Sequence, residues 1–598
     1  MKGILIFDHL NDVLFTKCNK KFANHIQKLA KIQGLISENK LNPNIIMQLF
    51  SPIVTSQHVM ASQFGNSYTS MKCHDGINMV FDEFMGYSFI YISMEEVELM
   101  KRTLGVCVAI VRHVCGPDVA IQKVCLVSSL LDAWVHLRNC EQSMLTEAIE
   151  QLTINTDLGV AILKVLHDAS DKLKAQSEFS NVHILILVEQ KFLCLYSSKN
   201  ARDLYAADIL LMMLMCLYSL MDDDLYSHLI LLGSEHDSTA NAVHIFELAD
   251  GINLVMIIEM TNLATSSGLY DSFHYLNVIN GLQLQRDIDE LRPAFENFDL
   301  AMKKALDGIK KNRANISNDV DMCQRRLQSK WEFVRKKYMD LLKSRDPESI
   351  LQIESNTSGF TDNLKELYRL TCFDKSFLKQ GVDVLTTVGK LVRQKLNDFS
   401  DFLKVKALKN FTLGSYPFII TTSLTINKYL EEFPGLVHFI YIDRTTHRLT
   451  APTLDFTNPE TLALTTKKIW NMVKQSRMHL EEGHLSVMWK DTTFNYAYFL
   501  WFEDSSVSIF CGDYYRFVLL TYNIWFSLLQ VFTYFGYFCR KLAEICFPKL
   551  SANKIRIYEL YCVHLGLATS SCILEHSRRL AATIWEVTGA PNDPADIL

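Results

Sequence analysis

The sequence lacks the short motifs by which most enzymes declare their chemistry. Its fifteen cysteines are odd in number, scattered from Cys18 to Cys572, and contain no Cys-x-x-Cys pair. Neither a disulfide framework nor a structural zinc site is indicated, and the thiols read as reduced, in a cytosolic chain. No His-Glu-x-x-His, Gly-x-Ser-x-Gly or Gly-x-Gly-x-x-Gly occurs, which removes the local marks of zinc peptidases, serine hydrolases and dinucleotide-binding domains. The one Gly-Lys pair, Gly389-Lys390, fails as a phosphate loop: Val384 holds the earlier glycine position, and Leu391 stands where Ser or Thr is required. A net charge of −6 leaves no electrostatic footprint for nucleic acid. The apolar run Gly3 to Phe7 is closed by Asp8, too short for a signal-peptide core, and reads as a first strand.

What is present is a folded chain. Its 598 residues are 49% hydrophobic, and at about 150 residues per domain this allows roughly four domains, or fewer with helical connectors. Ile4 to Phe7, a polar turn at Asp8 to Asp12 and Val13 to Phe15 predict a hairpin, and Asn19 to Lys31 a helix with Phe22, Ile26 and Leu29 on one face. Strand-like pieces at Ser67 to Cys73, Ile77 to Phe84 and Tyr87 to Ser93 follow, then a helix from Glu95 to about His113. The order returns at Ile184 to Val188, Phe192 to Tyr196, a helix over Arg202 to Met221, and strands at His228 to Gly233, Val243 to Leu248 and Ile252 to Glu259. A third copy opens with Leu436 to Ile442, apolar on both faces as a strand covered on both sides must be, and a return at Arg448 to Thr453. It continues through a helix near Pro459 to Leu480 and strands at Leu485 to Trp489, Phe494 to Phe502 and Val507 to Phe510. The fold class is α+β: three longin-like units, each a five-stranded sheet flanked by helices, joined by helical connectors. The hexapeptides Asp75 to Val80 and Asp250 to Val255 are alike in spelling, but precede different strands of their units and read as coincidence.

The second connector holds a basic amphipathic stretch, Lys303 to Arg345, whose apolar positions are Trp331, Phe333, Val334, Tyr338, Leu341 and Leu342. Such helices can lie on anionic membranes. Because Glu332, Asp340 and Asp346 interrupt the charge, the reading preferred is a helix packed by one face with its charges in water. Ile209 to Met221 is too short to cross a bilayer and reads as a buried, Met-rich core helix. The densest candidate ligand group, His228, His236 and His244 with Glu235 and Asp237, has no metal-ligand spacing. Glu95-Glu96 and Glu431-Glu432 read as helix-start and turn charges.

Glu431-Glu-Phe-Pro-Gly-Leu-Val-His-Phe-Ile-Tyr-Ile-Asp-Arg-Thr-Thr446, Asp401 to Lys406, Tyr498 to Glu503, Gly512 to Tyr515 and Arg556 to Leu560 resemble the Hermansky-Pudlak syndrome 1 family of tri-longin Rab exchange factors. The resemblance covers the last third of the chain best. The repeated order of elements sets the bounds: residues 1–116 as longin-like domain 1, 117–178 as a helical connector, 179–264 as the sheet part of domain 2, 265–427 as a second connector and 428–598 as domain 3. The resemblance implies a guanine-nucleotide exchange factor subunit acting on Rab small GTPases of lysosome-related organelles. The Hermansky-Pudlak syndrome 4 protein would be its obligate partner subunit, and the location cytoplasmic, peripherally associated with endosomal or lysosome-related organelle membranes. Exchange works by preferential binding of the nucleotide-free GTPase, so no catalytic residue, cofactor or metal is expected. A non-catalytic tether or adaptor in membrane trafficking is the alternative. The resemblance supplies no interface motif. The residues themselves offer one candidate partner-binding face, Lys20, Asn24, Lys28 and Lys31, opposite the apolar face of the first helix.

Phe517 to Cys539 runs for twenty-three residues without a charge, long enough for a membrane span. It interrupts the third unit between its last expected strand and its closing helix. Removing residues 516–539 joins Gly512-Asp-Tyr-Tyr515 to Arg540-Lys-Leu542, the spelling of the resembled family. Arg-Phe-Val and Phe-Cys-Arg can also be encoded as splice donor and acceptor. The segment therefore reads as a frame-preserving retained intron, and a shorter insert around Tyr416 to Asn427 as related in origin.

Overall fold

The first hairpin forms because Asp8 can close it: one carboxylate oxygen accepts from the backbone N–H of Leu10 (2.9 Å) and of Asp12 (2.8 Å). This computed structural model describes residues 2–588 except 36–41, 74, 120–122, 153, 177–180, 219–224, 235–237, 261–262, 286–287, 312–317, 345–348, 409–432, 453–463, 505–534, 549–550 and 552–553. The first unit runs β1 (Lys2–Phe7), β2 (Val13–Cys18), α1 (Lys20–Ile32), α2 (Pro43–Phe64), β3 (Ser70–Lys72), β4 (Asn78–Phe84), β5 (Tyr87–Ser93) and α3 (Val97–Cys115). Its antiparallel sheet has the order β2-β1-β5-β4-β3. Leu5, Phe7, Ile90 and Ile92 pack with Phe22 and Ile26 of α1 and Ile46, Phe50 and Val54 of α2.

A connector follows, α4 (Val124–Cys140), α5 (Gln142–Thr146), β6 (Ile149–Glu150) and α6 (Thr156–Gln176). The second unit then repeats the first as β7 (Val182–Val188), β8 (Lys191–Ser197), α7 (Ala206–Tyr218), β9 (Leu225–Leu232), β10 (Thr239–Ala249) and β11 (Ile252–Glu259). Its strand order, β8-β7-β11-β10-β9, is the same permutation. β7 and most of β11 have no exposed residue, which is why they read as unbroken apolar runs. Helix α7 is buried along most of its length, as expected of a core helix. Asp75-Gly76 lies between β3 and β4, whereas Asp250-Gly251 turns β10 into β11, the place that Met85-Gly86 takes in the first unit. The two hexapeptides are not equivalent positions.

Among the described residues the next α-helices are α8 (Leu263–Gln285), α9 (Ile288–Lys311), α10 (Asn318–Ser344), α11 (Ser349–Cys372), α12 (Val382–Leu396) and α13 (Ser400–Leu408). Helices α8 and α9 approach so closely that a Cβ on Gly268 would lie 2.6 Å from the backbone nitrogen of Ala305. Phe295, Phe298, Trp331, Tyr338 and Phe360 form the aromatic centre of this bundle, and the Trp331 indole donates to Asp299 (3.2 Å). Phe333, expected on the packed face, is instead 52% exposed, because it stands one residue off the row Leu327, Trp331, Val334 and Tyr338 that α10 buries.

The third unit consists of β12 (Leu436–Asp443), β13 (Arg448–Thr450), α14 (Thr466–Glu481), β14 (Ser486–Lys490), β15 (Phe494–Asp504), α15 (Phe535–Cys546), β16 (Ile555–Leu565) and α16 (Ser570–Thr588). Its sheet order, β14-β15-β16-β12-β13-β6, is the same permutation with one strand added from the first connector. Here the order expected from the sequence needs correction. The last strand is β16, and it follows the apolar 516–539 segment rather than preceding it. That segment therefore stands in the connection from β15 to β16. The Val507 to Phe510 strand, residues 505–534 and the insert around Tyr416 to Asn427 lie outside the described residues, and residues 535–539 open α15, where Cys539 is fully buried. No helix among the described residues is long and apolar enough to cross a membrane.

By internal contacts the chain divides into two compact units, Met1–Leu131 with Ser227–His244 and Ile257–Val382, and Asp132–Tyr226 with Ile245–Met256 and Asp383–Leu598. In the second of these, Gly435 leads into β12 with φ +86°, a region that L side chains avoid, although a Cβ there would meet nothing within 4 Å. Gly435→Val is therefore expected to cost about 1–3 kcal/mol through backbone strain alone. A thermal melt of the variant checks this, and an unchanged midpoint would show that the turn relaxes freely.

Candidate interaction surface

Helix α1 is set down on its sheet by two devices. The Asn19 carboxamide oxygen caps it, accepting from the backbone N–H of Phe22 (3.0 Å) and of Lys2 (3.2 Å). Gly3 leaves room for the Phe22 ring, whose carbons lie 2.7 Å from where a Cβ would stand. With Phe22, Ile26 and Ala30 buried, the opposite face presents Lys20, Asn24, Lys28 and Lys31, all exposed, with Lys21 beside them. The helix carries no carboxylate to answer these lysines. Leu29, expected on the packed face, is 37% exposed, because the i, i+4 row 22, 26, 30 turns inward and leaves position 29 at its edge. Ile32 is 81% exposed. Cations beside exposed aliphatics can hold an acidic, partly apolar partner surface.

Of the other candidates of ligand or acid–base type, those among the described residues are held by packing and hydrogen bonds. His228 lies on β9 and His244 on β10, burial pushes both imidazoles down to about 4, and the Ser227 hydroxyl meets His244 Nδ1 at 2.7 Å. Glu235, His236 and Asp237 lie outside the described residues, and among those described no group of three His, Cys, Asp or Glu side chains could hold a metal ion. Glu95 accepts from Lys2 Nζ (2.8 Å) and the Tyr91 hydroxyl (2.6 Å), a tie between β1, β5 and the start of α3; Glu431-Glu432 lie outside the described residues. Lys123, pushed down to about 7 by burial, donates to the carbonyls of Val114 (2.9 Å) and Leu229 (2.7 Å) and sits 4.0 Å from the Phe373 ring centre. It caps the last turn of α3 rather than facing a ligand.

A set that sequence reasoning missed joins the first connector to the third sheet. Arg444 and Glu559 are wholly buried and paired: Arg444 Nε donates to Glu559 Oε2 (2.7 Å), and the Tyr498 hydroxyl donates to Oε1 (2.8 Å). The rest of the guanidinium donates to the carbonyls of Thr146 (2.8 Å) and Glu147 (3.1 Å), at the end of α5. Gln142 Nε2 donates to the Pro452 carbonyl (2.9 Å), and its oxygen meets His438 Nε2 at 2.7 Å. Leu145 and Ala148 enter the core of the third unit, and β6 pairs in parallel with β13. Beyond β6, Glu150 forms a buried pair with Lys191 of β8 (2.6 Å). Residues 142–150 thus complete a domain that begins nearly three hundred residues later. No periodicity or motif in that stretch announces it.

Three sheets of one permutation, each flanked by helices and joined by helical connectors, define a tri-longin architecture. Family models match in the same order: the first longin domain of FUZ, MON1 and HPS1 over residues 2–146, the second over 179–276 and the third over 435–588. The matches cover more than half of the chain, which belongs to the tri-longin family of FUZ, MON1 and HPS1.

Proposed function

We propose that this chain is one subunit of a heterodimeric guanine-nucleotide exchange factor for Rab GTPases, of the Hermansky-Pudlak syndrome 1 type, acting in lysosome-related organelle biogenesis and vesicle trafficking. The observation that carries the reading is the presence of all three longin domains, in order, in a family tied to trafficking complexes. The C-terminal spelling around Pro434-Gly435 supports the narrower assignment and, with it, the Hermansky-Pudlak syndrome 4 protein as partner. An exchange factor needs surface and differential affinity, not reactive groups: it accelerates release by favouring the nucleotide-free GTPase over the loaded one. The α1 face is the part of the first unit assigned to the GTPase.

The test is release of a fluorescent guanine nucleotide from a panel of purified Rab proteins, with the chain alone and with its partner. Acceleration of one Rab supports exchange; no acceleration of any, with the pair intact, leaves a tether or adaptor. Lys28→Glu with Lys31→Glu is expected to slow exchange about tenfold by repelling an acidic partner edge, with the melting temperature unchanged because both side chains are exposed. Full exchange by that variant would remove α1 from the interface.

A further inference from the structure

Helix α10 buries one face and leaves the other with a composition that solvation alone does not explain. Met322, Arg326, Phe333, Lys336 and Lys337 share its outer stripe, over roughly 20 Å of helix. All are exposed, Met322 at 56% and Phe333 at 52%. Of the acids near the stripe, Asp321 pairs with Arg325 (2.6 Å), Asp299 with Lys303 (2.7 Å) and Arg335 (3.6 Å), and Glu332 lies on the flank, while Asp319 and Asp340 stand in line with the stripe and bound it before Met322 and beyond Lys337. The rotation of the helix is fixed by Cys323, Leu327, Trp331, Val334 and Tyr338, all buried, so the stripe cannot turn inward. Lys303 to Ser344 carry twelve Lys and Arg against five Asp and Glu, in a chain whose net charge is −6.

We infer that this stripe of α10 docks on the anionic surface of a lipid bilayer, with Arg326, Lys336 and Lys337 at the headgroup phosphates and Met322 and Phe333 in the boundary with the acyl chains. A bilayer answers both halves of the composition, since it offers negative charge in a plane and an apolar layer a few ångströms below it. The charge is concentrated where the apolar side chains protrude, in a chain that is otherwise acidic, so attraction to the membrane would also orient the molecule. The inference stands apart from nucleotide exchange.

The experiment is co-sedimentation of the full chain with vesicles of phosphatidylcholine and of phosphatidylcholine containing phosphatidylserine. Binding is expected to the anionic vesicles only, and to weaken as salt rises. Lys336→Glu with Lys337→Glu should lower it at least about thirtyfold, given roughly 1 kcal/mol per cation near the surface. Lys336→Gln with Lys337→Gln tests the same point with a smaller disturbance, Phe333→Ala should weaken binding several-fold, and Lys28→Glu with Lys31→Glu on α1 should leave it unchanged. Equal binding to neutral vesicles, or wild-type binding by both α10 double variants, would overturn the inference. So would no binding to either vesicle, which would leave an acidic protein or water against the stripe.

Discussion

Replacing Arg444 by methionine is expected to destabilise the compact unit that holds the third sheet by about 3–5 kcal/mol, a large share of the stability of an ordinary domain. The pair it forms with Glu559 is wholly buried, so removing the guanidinium leaves a carboxylate in the core with, among the described residues, the Tyr498 hydroxyl to answer it. The same change strips donors from the carbonyls of Thr146 and Glu147 and so loosens the connector segment that supplies β6. The ion pair itself is not what makes the loss large. Desolvating two charges costs nearly what their attraction returns, and the penalty comes from orphaning one of them. Arg444→Met with Glu559→Leu should therefore recover much of the stability that the single variant loses. Denaturant unfolding of the wild type, both singles and the double gives the coupling directly. Equal losses in the single and double variants would mean that the connector contacts, not the orphaned charge, dominate.

Much of this fold can be read from the sequence wherever a strand is covered on both faces. Ile184 to Val188 and Leu436 to Ile442 stand out because nearly every position in them is apolar, His438 being the exception, and β7 and β12 are indeed almost wholly buried. The reading fails where burial and polarity coincide. β16 carries Arg556, Glu559 and His564, and it goes unrecognised because Glu559 is buried as half of an ion pair whose other half lies on a distant turn. Helix α2 goes unassigned for a local reason: Pro43 and Pro52 look like breakers, although Pro43 stands in the first turn after the Asn42 cap and Gly65 ends the helix in a left-handed conformation. The α1 face is legible as a solvent face from lysine spacing alone, but spacing does not say what meets it. The role of residues 142–150 is hidden for a different reason, since a two-residue strand held by long-range hydrogen bonds leaves no periodic signal.

Acid should unfold this protein well before carboxylate protonation would. His113, His183, His244, His438 and His564 are all buried, and burial pushes their imidazoles down to about 3 for His113 and His438 and about 4 for the other three. Each is held neutral in the fold, whereas in the unfolded chain it takes up a proton near its ordinary value of 6.5. The unfolded state thus binds more protons below pH 6.5, and stability is complete above that value and falls as pH drops toward the folded values. One such group removes about 1.4 kcal/mol per pH unit, and five together about 7. His228 and His447, less buried, are lowered to about 4 and add in the same direction. Asp82, Glu141 and Glu503, whose carboxyls burial raises, act in the opposite sense and trim the slope without reversing it. Against a typical total of about 5–15 kcal/mol, collapse is expected near pH 5. Scanning fluorimetry in a buffer series should show a melting temperature that falls steeply below pH 6.5 and changes only gently above it, where Lys123, held down to about 7, adds a single proton to the slope. His564→Phe isolates the cause: among the described residues neither ring nitrogen of His564 has a hydrogen-bond partner, and its ring stacks on His576 at 5.6 Å, so phenylalanine keeps the packing and removes one proton from the slope. A melting temperature level down to pH 5, or a His564→Phe variant with the wild-type slope, would show that the buried imidazoles are not what sets the acid limit.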